Sequence, residues 1–420
     1  MLRRVLRLPT LVSNSAGFSF ATSSFVALAQ VAWLAGGMEA WLAVAAAGVL
    51  VLLVAGVFGE LSGMYPSASA LRTYLRAGYG DPFALSVAMV YAFVMVAVLG
   101  TEAYVLARAV AVVLPGPVPD LALGALLAVS TALNLRGAEA SARFQNVVTV
   151  AMLASAWALA IVALRGPAPA WAPASPPGSF PRAMAAAVYL FVGFEWVTPR
   201  AEEAKSAGSV ARGMGLAVLL LTATFGLLAA AFGHGLPPSA LAGSSPQITL
   251  ALRLGRGPWT GWMLAVCLAA SATTFNAGIG SASRLLFGLG RERALPAGLA
   301  IISRSSGVPA RATWVTLGAA LAVAALVAAI HGFAGLVDMA AAAESAVYGL
   351  AAVAVLRLRR RDPNAPRPHR AWGGVWVIGG VGAAFTGLAG LAALDGGPAV
   401  PLCLGAVWML AYAAAARVRS

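Results

Sequence analysis

Four stretches of this chain, residues 40–59, 82–101, 257–283 and 371–394, carry no charged side chain. Each has about the 20 residues that a helix needs to cross a bilayer. Only 10% of the 420 residues are charged and 60% are hydrophobic, whereas about 25% of a soluble domain is charged. The chain therefore reads as an all-α polytopic membrane protein, a single domain over 1–420 with no soluble domain between its segments.

The formal net charge of +14 would suit nucleic acid or a membrane surface. Its distribution decides between them. With the N-terminus placed inside, 23 of the 28 Lys and Arg fall on cytoplasmic segments and four on external ones, and Arg108 lies near the outer end of the third helix. This is the positive-inside asymmetry of a membrane protein. It predicts a cell (inner) membrane protein with both termini in the cytoplasm and no nucleic-acid partner. Arg357, Arg359, Arg360, Arg361, Arg367 and Arg370 then form a solvated cytoplasmic loop facing anionic headgroups. Cys267 and Cys403 fall in hydrophobic segments, and His234, His331 and His369 lack metal-ligand spacing. No metal or cofactor is expected.

Hydropathy predicts twelve helices, at 12–35, 40–61, 83–112, 119–135, 144–164, 183–203, 213–233, 257–289, 312–330, 334–356, 372–392 and 396–416. Breakers such as Pro115-Gly116-Pro117 and the Pro-rich span from Pro167 to Pro181 separate them. Trp33, Trp41, Trp171, Trp259, Trp372 and Trp376 sit near segment ends, as interfacial anchors do. Two spans are interrupted near their middles. Ser15-Ala16-Gly17-Phe18-Ser19 breaks the first, and Phe191-Val192-Gly193-Phe194-Glu195 breaks the sixth. Paired interruptions at matching places in two halves point to a transporter binding site. They also suggest two five-helix repeats of inverted topology, 12–164 and 183–356, followed by helices eleven and twelve over 372–416. Backbone groups freed inside the membrane cost several kcal/mol each unless satisfied. A polar substrate is one partner that could satisfy them.

Several stretches, in order along nearly the whole chain, resemble the amino acid–polyamine–organocation (APC) superfamily of permeases. Gly59-Glu60-Leu61, Tyr65-Pro66 and Tyr74 to Gly80 are similar to the family's second-helix exit and first cytoplasmic loop. Asn134-Leu135-Arg136-Gly137 through Gln145-Asn146 is similar to its approach to helix five. Phe191 to Glu195 with Glu202-Glu203 resembles its helix-six signature. Ser283-Arg284 through Glu292, Leu295-Pro296 and Val308-Pro309 resemble the helix-eight exit. Arg357 to Arg360 with Arg367-Pro368 resembles the loop after helix ten. The resemblance implies the LeuT-like five-plus-five inverted-repeat fold with discontinuous helices one and six. It also implies a substrate site among helices one, three, six, eight and ten, worked by alternating access. Two departures stand out. The family's Gly-x-Gly at the first break corresponds here to Gly17-Phe18-Ser19, and Met152 stands near the place of a lysine found in helix five of some members.

On this basis Gly17, Phe18 and Ser19 would offer N–H groups to a substrate carboxylate. Carbonyls of Phe191 to Gly193 would take its ammonium, with Tyr189, Phe194 and Glu195 beside them. Tyr189 is either a gating aromatic or plain packing.

Four acids, Glu102, Glu195, Asp338 and Glu344, lie within predicted spans. Intramembrane acids are costly and default to function. Glu195 would tie the half-helices together, relay a proton or face an ammonium, or else simply satisfy freed N–H groups. Glu102 and Glu344 are the other proton-coupling candidates. Each has a structural alternative as a hydrogen-bonded bundle residue, Glu344 through Tyr348 one turn along its helix. Ser271, Thr273, Thr274 and Asn276 form a polar cluster on helix eight. It suits Na⁺ coordination through oxygen or bonding back to helix carbonyls. The coupling ion is thus H⁺ or Na⁺.

The expected function is a secondary transporter (permease) for an amino acid, neutral ones first, by proton coupling or exchange. Cationic amino acids or polyamines are the alternative, and a permease-derived sensor is a distant one. An enzyme is disfavoured because no His-Glu-x-x-His, Gly-x-Ser-x-Gly or Cys-His pairing occurs. The partners are a small-molecule substrate and the lipid bilayer.

Overall fold

The first eleven expected segments are all helical in the computed structural model. It describes the chain apart from Met1, Met38, residues 168–178, Ser244, Arg256, residues 331–332 and, beyond Asp395, all but 405–406, 408–410 and 413. In chain order the helices are α1 (Leu8–Ser19), α2 (Thr22–Ala35), α3 (Ala40–Met64), α4 (Leu71–Tyr79), α5 (Asp81–Val113), α6 (Val118–Arg136) and α7 (Ala138–Arg165). There follow α8 (Phe180–Tyr189), a 3-10 helix (Phe194–Glu203), α9 (Ala207–Gly235), the short α10 (Pro238–Leu241) and α11 (Pro246–Leu254), and α12 (Pro258–Arg291). A second 3-10 turn (Ala297–Ala300), α13 (Ala310–Ile330), α14 (Phe333–Arg361) and α15 (Gly374–Asp395) complete the series. Among the described residues ten helices are long and apolar enough to cross a membrane, or eleven if the bent pair α1–α2 is one span. The expected twelfth helix, 396–416, lies almost wholly outside the described residues, as do Trp171, His331 and Cys403.

Helix α12 is the most enclosed span, whereas α6, α13 and α15 leave most of their surface outward. Around α12 stand α5, α7 and the broken first span; α3 packs along α9, and α14 along α15. Of these helices α5 carries Glu102, while Glu195 lies on the 3-10 helix that also packs on α12.

Both interruptions are real, but the first is displaced. Helix α1 runs through Ser15 to Ser19 and ends at Phe20, and Ala21 is extended before α2 starts at Thr22. The bend between them is 62°. The cause is the serine-rich run after the glycine. Ser24 Oγ accepts the Ala21 N–H at 3.0 Å and donates to the Ser19 carbonyl at 3.0 Å. A side chain thereby replaces the helical bonds of this turn. The sixth span breaks where expected, between Tyr189 and Phe194, with Gly193 in the left-handed region at φ +93°. Beyond it the chain continues as a 3-10 helix containing Pro199. Proline has no N–H for an α-helical bond and clashes with the preceding turn.

One end of the bundle is locked by buried ion pairs. Glu203 accepts Arg200 Nε at 3.1 Å and Arg284 Nη2 at 2.9 Å, and all three side chains are essentially fully buried. Arg200 Nη1 also donates to Asn14 Oδ1 at 2.7 Å. The Val5 and Leu6 N–H groups both donate to the Glu203 carbonyl at 2.9 Å, which ties the N-terminal segment to the end of the 3-10 helix. The arginine cluster at and after the end of α14 departs from the expected solvated loop. Arg359 and Arg367 both bind Glu60 of α3, and the Arg357 guanidinium lies 4.2 Å from the centroid of the Tyr79 ring. Burial in this knot holds the His369 imidazole below its usual range, with Glu60 acting in the opposite sense.

Candidate substrate and coupling site

The two breaks touch. Ser19 Oγ donates to the Ser15 carbonyl at 3.2 Å and, across the interface, to the Phe191 carbonyl at 3.3 Å. Phe18 lies over Gly193, where an added Cβ would stand 2.0 Å from its ring. The left-handed backbone and this contact both demand glycine there. Phe18 also packs on Trp196, ring centroids 4.1 Å apart, while Phe191 meets Phe225 edge-on. Phe18, Ser19, Phe191, Gly193, Phe194 and Glu195 are therefore gathered in one buried place.

Gly17 faces another way. A Cβ on it would lie 2.4 Å from Gln145 Nε2 and 2.5 Å from Thr149 Oγ1 of α7. It permits close helix packing rather than opening backbone to a solute. The N–H-rich start of the second half-helix lies at Thr22 and Ser23, not at residues 17–19. Those two N–H groups donate to Glu102 Oε1 at 2.7 Å and Oε2 at 3.1 Å. Much of the freed backbone around the first break is likewise met from within. Thr274 donates to the Phe18 carbonyl at 3.1 Å, and Gln145 and Thr149 donate to the Ser13 carbonyl at 3.0 and 3.3 Å.

Each of the four polar candidates on helix eight, here α12, has its own protein partner. Ser271 donates to Glu102. Thr273 bonds back to the Ala270 carbonyl at 2.8 Å and approaches Met152 Sδ at 3.7 Å. Asn276 joins Asn134, Ser141 and Gln145, tying α12 to α6 and α7.

A second carboxyl group centre lies beneath the sixth-span break. Tyr91 donates to Glu195 Oε1 at 3.1 Å and Tyr348 to Oε2 at 2.8 Å. Tyr348 thus crosses to Glu195 instead of bonding Glu344 on its own helix. Glu344 Oε1 accepts Trp196 Nε1 at 3.1 Å. Its Oε2 has no hydrogen-bond partner among the described residues, and the Glu195 carboxyl is close enough to interact with it electrostatically. Two carboxyls bond one another only through a proton placed between them. Phe58 and Phe194 flank Tyr348, at ring-centroid distances of 5.7 and 5.8 Å. Tyr189, half-buried at the end of α8, is within electrostatic range of Glu102 and the half-buried Asp338.

Tyr91, Trp196, Thr22 and Ser23 were not among the expected site residues. Tyr91 had a readable signal: it precedes Glu102 by eleven residues, about three helical turns, which puts both on one face of α5.

An all-helical membrane bundle whose two broken spans meet beside buried carboxyls has the architecture of a solute transporter. Residues 6–411 match the family described as amino acid permease, and the chain belongs to that family. Its apolar spans and its family make it a multi-pass membrane protein. The branched-chain amino acid permease BcaP of Bacillus subtilis (strain 168) is 25% identical over 254 residues, 59% of this chain and 54% of that protein. The match thus spans about half of the relative's length. Among solved structures, a Na⁺-coupled sialic acid symporter in a substrate-bound outward-open state shares the fold, with a TM-score of 0.59 and 13% identity. That alignment covers 92% of this chain and 89% of the symporter chain.

Proposed function

We propose that the protein is a secondary transporter of neutral amino acids, working by alternating access at the junction of its two broken spans. The observation that carries this reading is the direct meeting of the breaks at Ser19 and Phe191, beside aromatic and carboxyl side chains. Apolar rings of Phe18, Phe191 and Phe194 suit an aliphatic side chain, in keeping with the branched-chain substrate named for the relative. The test is competition among leucine, methionine, arginine and putrescine for binding to the purified protein. Leucine or methionine is expected to compete best, and a clear preference for putrescine would overturn the neutral choice.

Coupling is assigned to a proton held by the Glu195–Glu344 pair. Glu102 is less suited, because its oxygens accept backbone N–H groups that can only donate, whereas those of Glu195 meet tyrosine hydroxyls that can either donate or accept. Sodium held near Thr273 and Thr274 is the competing scheme, favoured by their position beside the end of α1.

The proposal includes twelve crossings in a five-plus-five inverted repeat, both termini in the cytoplasm, and residence in the inner membrane. Cysteines introduced at exposed positions within 357–370 are then expected to react only with membrane-permeant reagents. Labelling by an impermeant maleimide in intact cells would refute that orientation.

A further inference from the structure

Glu102 holds a position that no family resemblance explained. It is 1% exposed, in the middle of α5. Both of its oxygens are taken by the first turn of the 14-residue helix α2, through Thr22 and Ser23 N–H, and Ser271 adds a third donor. Among the described residues no Lys, Arg or His forms an ion pair with it. A helix N-terminus with free N–H groups is a ready anion seat, strengthened by the helix dipole. At this break the seat is filled by the chain's own carboxylate, within electrostatic range of Tyr189 at the other break.

We propose that Glu102 is a specificity-determining residue, an internal carboxylate that competes with a solute carboxylate for the N–H groups of Thr22 and Ser23. An α-amino acid must evict Glu102 from this seat to be held by it. An amine with the same side chain and no carboxylate binds with the seat still filled. Glu102 therefore biases the site away from amino acids and toward carboxylate-free amines, whichever of the two the protein carries. The inference rests on the transporter reading, and it adds a residue that sets the balance between two substrate classes.

The test compares leucine with 3-methylbutylamine, its carboxylate-free counterpart, as ligands of the purified full-length protein and of Glu102→Ala. Removal of the competitor is expected to shift the affinity ratio toward leucine by about tenfold, the scale of a charge-assisted hydrogen bond. A shift below about threefold, or one toward the amine, would overturn the proposal. A purely structural cap would weaken both ligands together and leave the ratio unchanged, which also overturns it. Should the alanine variant fail to fold, Glu102→Gln carries the test. Its amide keeps one acceptor but turns a donor toward the second N–H, so a smaller shift in the same direction is expected. If the unaltered protein prefers the amine and the variant still shifts toward leucine, the neutral amino acid reading fails and the role of Glu102 stands. If neither ligand binds any of the proteins, both are refuted.

Discussion

Glu203→Ala is expected to lower stability by about 3–5 kcal/mol, the largest effect of any single substitution considered for this fold. Glu203 neutralises two buried arginines, Arg200 and Arg284, one on its own 3-10 helix and one on α12. Removing it leaves two buried guanidinium groups with no ion-pair partner among the described residues. Arg200 Nη2 already lacks a partner there, so the site has no spare acceptor to take up the loss. The Glu203 carbonyl would still hold Val5 and Leu6, so the backbone tie alone should not rescue the bundle. Thermal unfolding of the purified protein in detergent checks this. A loss below about 1 kcal/mol, the range of a solvent-exposed pair, would show that the network is dispensable.

The spans were readable because hydropathy and length alone decide whether a segment can cross a bilayer. The sixth-span break was readable too, since Gly193 sits in it and adopts a conformation that glycine favours. The first was misplaced for a physical reason. Gly17 looked like the breaker, yet it serves close packing against Gln145 and Thr149. The helix stops where Ser24 can cap Ala21 and where Glu102, eighty residues away in sequence, can meet the N–H groups of Thr22 and Ser23. Local sequence does not carry a partner at that distance. Tyr348 misled in the same way: its spacing on α14 suggested Glu344, while the tertiary fold offered Glu195. The membrane acids themselves were visible from their cost. Which of them pair, and which cap, required the helices to be brought together.

The second large effect concerns Glu195. The amide of Glu195→Gln can accept one tyrosine hydroxyl and donate to the Glu344 carboxyl, reproducing a pair whose proton never leaves. Such a variant is expected to fold and to exchange substrate, but not to harvest a proton gradient. With one proton carried per solute, a pH difference of about one unit supports about tenfold accumulation in the unaltered protein. The variant should equilibrate its substrate and go no further.

The deciding measurement is uptake of radiolabelled leucine into proteoliposomes in sodium-free buffer, with and without an inward proton gradient, for the unaltered protein and for Glu195→Gln. The expected result is gradient-driven accumulation that Glu195→Gln abolishes, with counterflow exchange between equal pools retained. Uptake that ignores the gradient, that requires sodium, or that Glu195→Gln leaves fully driven would contradict proton coupling through the Glu195–Glu344 pair.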